Sequence, residues 1–595
     1  MVRFREGSFV LAMAVALVTS ACSEKKEKEE ASEDQPTEKV GHEPVPGGTF
    51  QLAIQENVST LFPYQIYDLT TAQVGHQIYE SLLQFDNKGG DVIPSLAEKW
   101  EVSEDQTVYT FHIKKGVFFH DNECFEGGKG REVTAEDVKF SFELLCTDHE
   151  NGQNANFENT FKGIVKGASE FYNGQSETLA GVEVVDNHKV KLTINEPRST
   201  FIYKLATLFT AIIPHEAYDM YGYQVSVGTG PFMLSSINET KDEVVLVRNP
   251  NYHVQDEYGN TLPYLDSVFY SAYPSKTAEL DAFQAGELSV ISGLPASKVS
   301  EVVQADIQDY SAQPPVKFLI RKPEMATEYY EFNMTSPAFN DVRVRRAFNH
   351  AIDRKNIIEE VMANQANGYG EFGITPPVPS FEGYDFKGIG ELAYDYNPEK
   401  AKELLAEAGY ENGEGFPSVK LILNSGGNRN WNVAKEVVKQ LEKTLGVYVN
   451  YEILPFSRKI EESKYARSEM VRSAWIADYP SPETFLLNFY GRNVPAGTDM
   501  PSYPNTSRYV NPSYDELLEK GFAAKTKEDR YKYFAEAEKI LIQDAPMMIL
   551  WYTENYKLHQ ANVRKLDFTP LGILDLEGIY LKQWTEAEWK SSNNL

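Results

Sequence analysis

The chain has 595 residues, a formal net charge of −30, 42% hydrophobic residues and 12% aromatic residues. That length allows two or three domains with cores of their own, and so many rings exclude a disordered chain. The strong negative charge repels phosphate backbones and anionic lipid surfaces, which excludes nucleic acid as a partner.

The N-terminus is the first legible segment. Arg3 and Arg5 precede an apolar run at 9–18, and Thr19, Ser20 and Ala21 lead to Cys22. The run is too short to span a bilayer but suits a signal-peptide core. Small residues before a cysteine resemble a lipobox, with Thr19 departing from the usual aliphatic residue. That resemblance implies a signal peptide at 1–21 and a lipid on Cys22. Residues 23–46 hold almost no apolar side chains and alternate in charge, so they read as a flexible tether. Its root-mean-square reach is about 27 Å. After Cys22 only Cys124 and Cys146 remain, and in an oxidising envelope they are expected to pair as a disulfide. With no CxxC and no nearby His pair, no metal site is expected.

From Gly47 the pattern becomes that of a folded protein. Residues 49–54 predict a strand, and 74–83 carry apolar residues at helical spacing. A strand at 108–113 ends at the turn Lys115-Gly116. Thr134 and Asp137 have the spacing of a capping box opening a helix backed by Val138, Phe142 and Leu145. Val344, Ala347, Phe348, Ala351 and Ile352 make one apolar helix face. Asn397-Pro398 caps a helix that Gly409 stops. A strand at 419–423, a helix at 431–445 ended by Gly446, and a strand at 447–453 form a βαβ unit, which implies a parallel sheet. The predicted class is α/β.

The motifs of catalysis are missing. There is no HExxH, no GxSxG and no EF-hand loop. The run 127–130 (Gly-Gly-Lys-Gly) lacks the Ser or Thr of a phosphate loop and reads as a surface turn. No catalytic residue and no cofactor are expected.

Several blocks together resemble the family-5 extracellular solute-binding proteins. They are Pro94 to Trp100 with Ser103, Glu104 and Asp105, then Phe119-His120-Asp121, then Thr134 to Val138. Gly228 to Phe232, Asn249 to Tyr252, Phe339 to Arg345 and Ala408-Gly409-Tyr410 follow in the family's order. The resemblance implies a two-lobed periplasmic-binding-protein fold of type II with an extra small third domain. Lobe I would comprise 47–82, 215–310 and 555–595, the accessory domain 83–214 and lobe II 311–554. Trp100, Phe111, Val138 and Phe232 would be core.

The segment 472–479 resembles the oligopeptide-binding branch. Carried over, Asp478 would pair with a peptide's α-ammonium, Trp475 and Ala474 would line a side-chain pocket, and Arg472 would face the C-terminal part. A free peptide is a zwitterion whose end charges must be matched once water is excluded. The opposing reading is an ion pair between Arg472 and Asp478 across a turn. Phe456 falls where the branch has a pocket tryptophan and Arg429 where it has a basic carboxylate partner. The segment 68–71, with Leu69 and Thr70, would offer backbone to an extended peptide. The expectation is a monomeric, lipid-anchored receptor in the bacterial cell envelope, facing the periplasm. It would deliver short peptides to the permease subunits of an ABC importer. Dipeptide, nickel or a heme-like group remain alternative cargoes, and an exported hydrolase or chaperone an alternative class.

Overall fold

A computed structural model describes residues 43–592 except 55–56, 87–89, 148–154, 310–313, 426–427 and 569–570. The leader, Cys22 and most of the tether lie outside the described residues.

Eleven strands form one mixed sheet with two wings. The first wing holds Phe232–Ile237, Glu243–Arg248, Ser267–Ala272, Thr49–Ile54 and Val290–Ser292. The second holds Met470–Ile476, Val419–Asn424 and Val449–Leu454. Two long antiparallel strands, Lys317–Phe332 and Met547–Gln560, run through both, and the short strand Gly368–Tyr369 pairs with the latter. Their ladder breaks between Pro323 and Thr327. Proline has no N–H to donate, so the interruption falls where the sequence removes a ladder bond. A separate four-stranded sheet of Ala97–Val102, Val108–Ile113, Lys189–Thr193 and Val182–Asp186 stands apart, yet its core is continuous with that of the first wing.

The local expectations are met where the punctuation is strongest. Thr134 and Asp137 form a complete capping box on Ala135–Leu145. Asn397 caps Pro398–Glu407 through the Lys400 amide, and Gly409 adopts φ +95°. The strands Val419–Asn424 and Val449–Leu454 run parallel around the helix Asn428–Leu445. Phe111, Val138 and Phe232 are fully buried, while Trp100 is only half-buried. Gly127 and Gly128 take left-handed φ in a surface turn, and Lys129 pairs with Asp121 at 2.6 Å.

Two expectations fail. The helix expected at 74–83 is Leu69–Ile78 instead, because Asp68 caps it by accepting the Thr71 amide at 2.7 Å. Leu69 and Thr70 therefore lie in a helical first turn, not along an extended edge. The disulfide is not formed: Cys124 and Cys146 are both free thiols. Cys146 follows the C-terminal end of Ala135–Leu145.

Candidate ligand cavity

A cavity of about 820 Å³ lies between the two wings, a volume usual for small-ligand sites. One side is the helix Leu69–Ile78 with Tyr79 and Glu80, together with 571–577. The other is the strand Met470–Ile476, the turn after it and the helix Phe456–Lys464.

Asp478 lines this cavity on the turn after the strand. Thr484, in the short helix Glu483–Leu486, orients it. The Thr484 hydroxyl lies 3.3 Å from the Asp478 Oδ2 it donates to. It accepts from the Trp475 indole N–H at 3.0 Å and the Asp478 amide at 3.3 Å. One hydroxyl has one donor and two acceptor sites, so this arrangement uses it fully. Burial pushes the Asp478 carboxyl up to about 6, against the lowering influence of Lys204 and Thr484. Lys204 is itself buried, its ammonium 5.0 Å from the Tyr479 ring centroid, and burial brings it down to about 8.

The wall behind Asp478 is closed by neighbouring chain. Arg198 meets the fully buried Glu483 at 2.6 Å, and Tyr203 stacks on Tyr479 with centroids 5.9 Å apart. These contacts join the region of the four-stranded sheet to the second wing.

Arg472 lines the cavity but has partners of its own. One guanidinium nitrogen bonds both carboxylate oxygens of Glu328, and the other lies 3.0 Å from Asn424 Oδ1. The opposing reading, an ion pair between Arg472 and Asp478, is not what the structure shows; Arg472 pairs with Glu328. Glu328 faces Ala474 across the ladder, so it reaches Arg472 diagonally. Arg429 does not line the cavity. It is about half exposed, 3.7 Å from the same Glu328, with its guanidinium 5.9 Å from the Trp551 ring centroid. Trp475, Ala474, Phe456, Leu69 and Thr70 all line the cavity.

The strand Met470–Ile476 offers a free edge. Lys317–Phe332 pairs with its whole length, but on its other side Val419–Asn424 reaches only Met470 and Val471. Among the described residues no strand covers 473–476 on that side. This open edge lies in the wall of the cavity.

Sequence reasoning missed four residues. Thr484 orients Asp478, Glu328 neutralises Arg472, Lys204 faces Asp478, and Lys459 lines the cavity as a buried cation. Lys459 reads in sequence as one charge among many on a solvated helix.

A two-wing α/β fold with a wide cavity between the wings defines a ligand-engulfing binding protein. The sequence pattern of the bacterial extracellular solute-binding proteins, family 5, matches residues 91–496, and the chain belongs to that family. The dipeptide-binding protein of Escherichia coli is 26% identical over 515 residues, covering 85% of this chain and 89% of that protein. Heme-binding protein A of Haemophilus influenzae is 28% identical over 512 residues, covering 83% and 85%. The periplasmic binding protein DppA of Helicobacter pylori, solved with the peptide STSA, superposes with a TM-score of 0.76 at 25% identity, covering 91% of this chain and 99% of that one.

Proposed function

We propose that this protein captures short peptides between its two wings and hands them to the permease of an ABC importer. The observation that carries this reading is Asp478, a carboxylate in the cavity wall oriented by Thr484 and held up at about 6 by burial. A ligand ammonium would supply the opposite charge that burial makes valuable. The open edge at 473–476 would bond the peptide backbone irrespective of sequence. Trp475 would give varied side chains a broad apolar wall. Relatives that are named for dipeptide and oligopeptide binding, and the STSA complex, support the same cargo.

A heme-like cargo fits the charges less well. Asp478 faces the cavity, and a heme propionate would meet it as a like charge. The protein acts as a receptor and leaves its ligand intact. It works as a monomer, with 47–82, 215–310 and 555–595 as one lobe, 311–554 as the other and 83–214 as the accessory domain. A lipid on Cys22 and the tether at 23–46 hold it to the envelope membrane, facing the periplasm. Cys22→Ala should move the protein from the membrane fraction to the soluble one; retention in the membrane would remove the anchor.

Titration calorimetry with a tripeptide and its N-acetylated counterpart tests the cargo. Acetylation removes the ammonium and should weaken binding by at least tenfold, in line with the roughly 1.5–3 kcal/mol of a charged hydrogen bond. Equal affinities, or no binding of either, would overturn the reading.

A further inference from the structure

The peptide reading leaves the opposite end of the ligand without a partner, since Arg472 is held by Glu328 and Arg429 lies off the cavity. We propose that Lys459, on the helix Phe456–Lys464, receives the ligand's terminal carboxylate. The proposal rests on the peptide reading and names the second pole of the same site.

Lys459 is 4% exposed and lines the cavity. Among the described residues its ammonium has no hydrogen bond and no ion pair within 4 Å, and it stands 5.5 Å from the Phe456 ring centroid. A buried cation without an ion pair is costly, and a site that retains one is poised for an anion brought from outside. The charged groups facing it are Arg472, Glu331 and Glu328. Glu328 is committed to Arg472. Glu331 accepts a hydrogen bond from Thr506 and is pushed by burial toward its neutral form. Neither carboxylate lies within ion-pair distance of the Lys459 ammonium. Burial and the neighbouring Arg472 bring Lys459 down to about 8, as expected of a cation lacking a counter-ion.

Lysine also suits the task. Its compact ammonium on a flexible stem meets a carboxylate without the fixed two-pronged geometry of arginine. A pole of that kind accepts carboxylates at slightly different depths, so peptides of more than one length would end there.

The test compares a tripeptide with its C-terminal amide by calorimetry on the mature protein at pH 7. The parent should prefer the free acid by about tenfold or more. Lys459→Met should bind both forms within about twofold, while Lys459→Arg should keep the preference. A parent without preference, or a Lys459→Met variant that keeps it, overturns the proposal while leaving the peptide reading intact. A parent that binds neither form overturns the peptide reading itself. Should Lys459→Met fail to fold, the parent alone decides: the acid preference should fade as pH rises past about 8, and a preference constant from pH 6.5 to 9.5 contradicts the assignment.

Discussion

Arg472 and Glu328 stand on neighbouring antiparallel strands, two residues out of direct register, and one guanidinium nitrogen bonds both carboxylate oxygens. Both side chains are almost entirely buried. The pair fixes the wall of the cavity at the join between the second wing and the long strand that crosses both wings.

Removing one partner of such a pair strands the other. Glu328→Gln leaves Arg472 buried with only Asn424, and leaves Arg429 without its nearby acid. The expected loss is about 3–5 kcal/mol, read from the urea midpoint at unchanged slope. A variant as stable as the parent would show that the pair is dispensable.

Affinity should depend on pH through Asp478. Its carboxyl titrates near 6 in the free protein, and only the ionised form attracts an ammonium. Peptide affinity should therefore fall about tenfold per pH unit below 6, and Asp478→Asn should bind weakly with a flat profile. A parent profile that stays flat between pH 7.5 and 4.5 would contradict this role.

The same shift has a consequence for stability. A folded-state value above the unfolded one means the acid costs stability at neutral pH, and that cost disappears as pH falls through about 6. Ligand-free Asp478→Asn should therefore melt higher than the parent at pH 7.5, with the difference vanishing near pH 4. A lower Tm at pH 7.5 would show that the carboxylate is already well matched without ligand.

Trp475→Ala opens the cavity wall and removes the indole donor to Thr484. Peptides with large apolar side chains should lose at least tenfold in affinity, and glycine-rich ones little. Equal losses would assign Trp475 to orienting Thr484 alone.

The free thiols give a simple check. With Cys124 half-buried and Cys146 buried and unlinked, a reductant should leave the Tm unchanged. A fall of several degrees on adding dithiothreitol would show that the two cysteines are bonded.

Much of the frame was legible in the sequence because local chemistry dictates it. The capping box at Thr134, the Asn397-Pro398 start and the glycine stops each act within a few residues, and the βαβ unit follows from periodicity. Asp478 and Trp475 were legible through a short motif, and both line the cavity. The partners were not. Glu328 lies 144 residues before Arg472, and only the register of the two strands brings them together. Cysteine count and redox compartment favour a bond, but pairing depends on where the chain places the thiols, and both are free. Leu69 and Thr70 lie in a helix, not on an extended edge, because the Asp68 carboxylate caps it through the Thr71 amide.

The most direct test of the central claim is native mass spectrometry of the mature protein, taken straight from cells and again after unfolding and refolding. The account predicts co-purified masses matching a mixture of short peptides, lost on refolding and restored by added tripeptide. A single non-peptide mass, or a protein that stays empty when peptide is added, would contradict it.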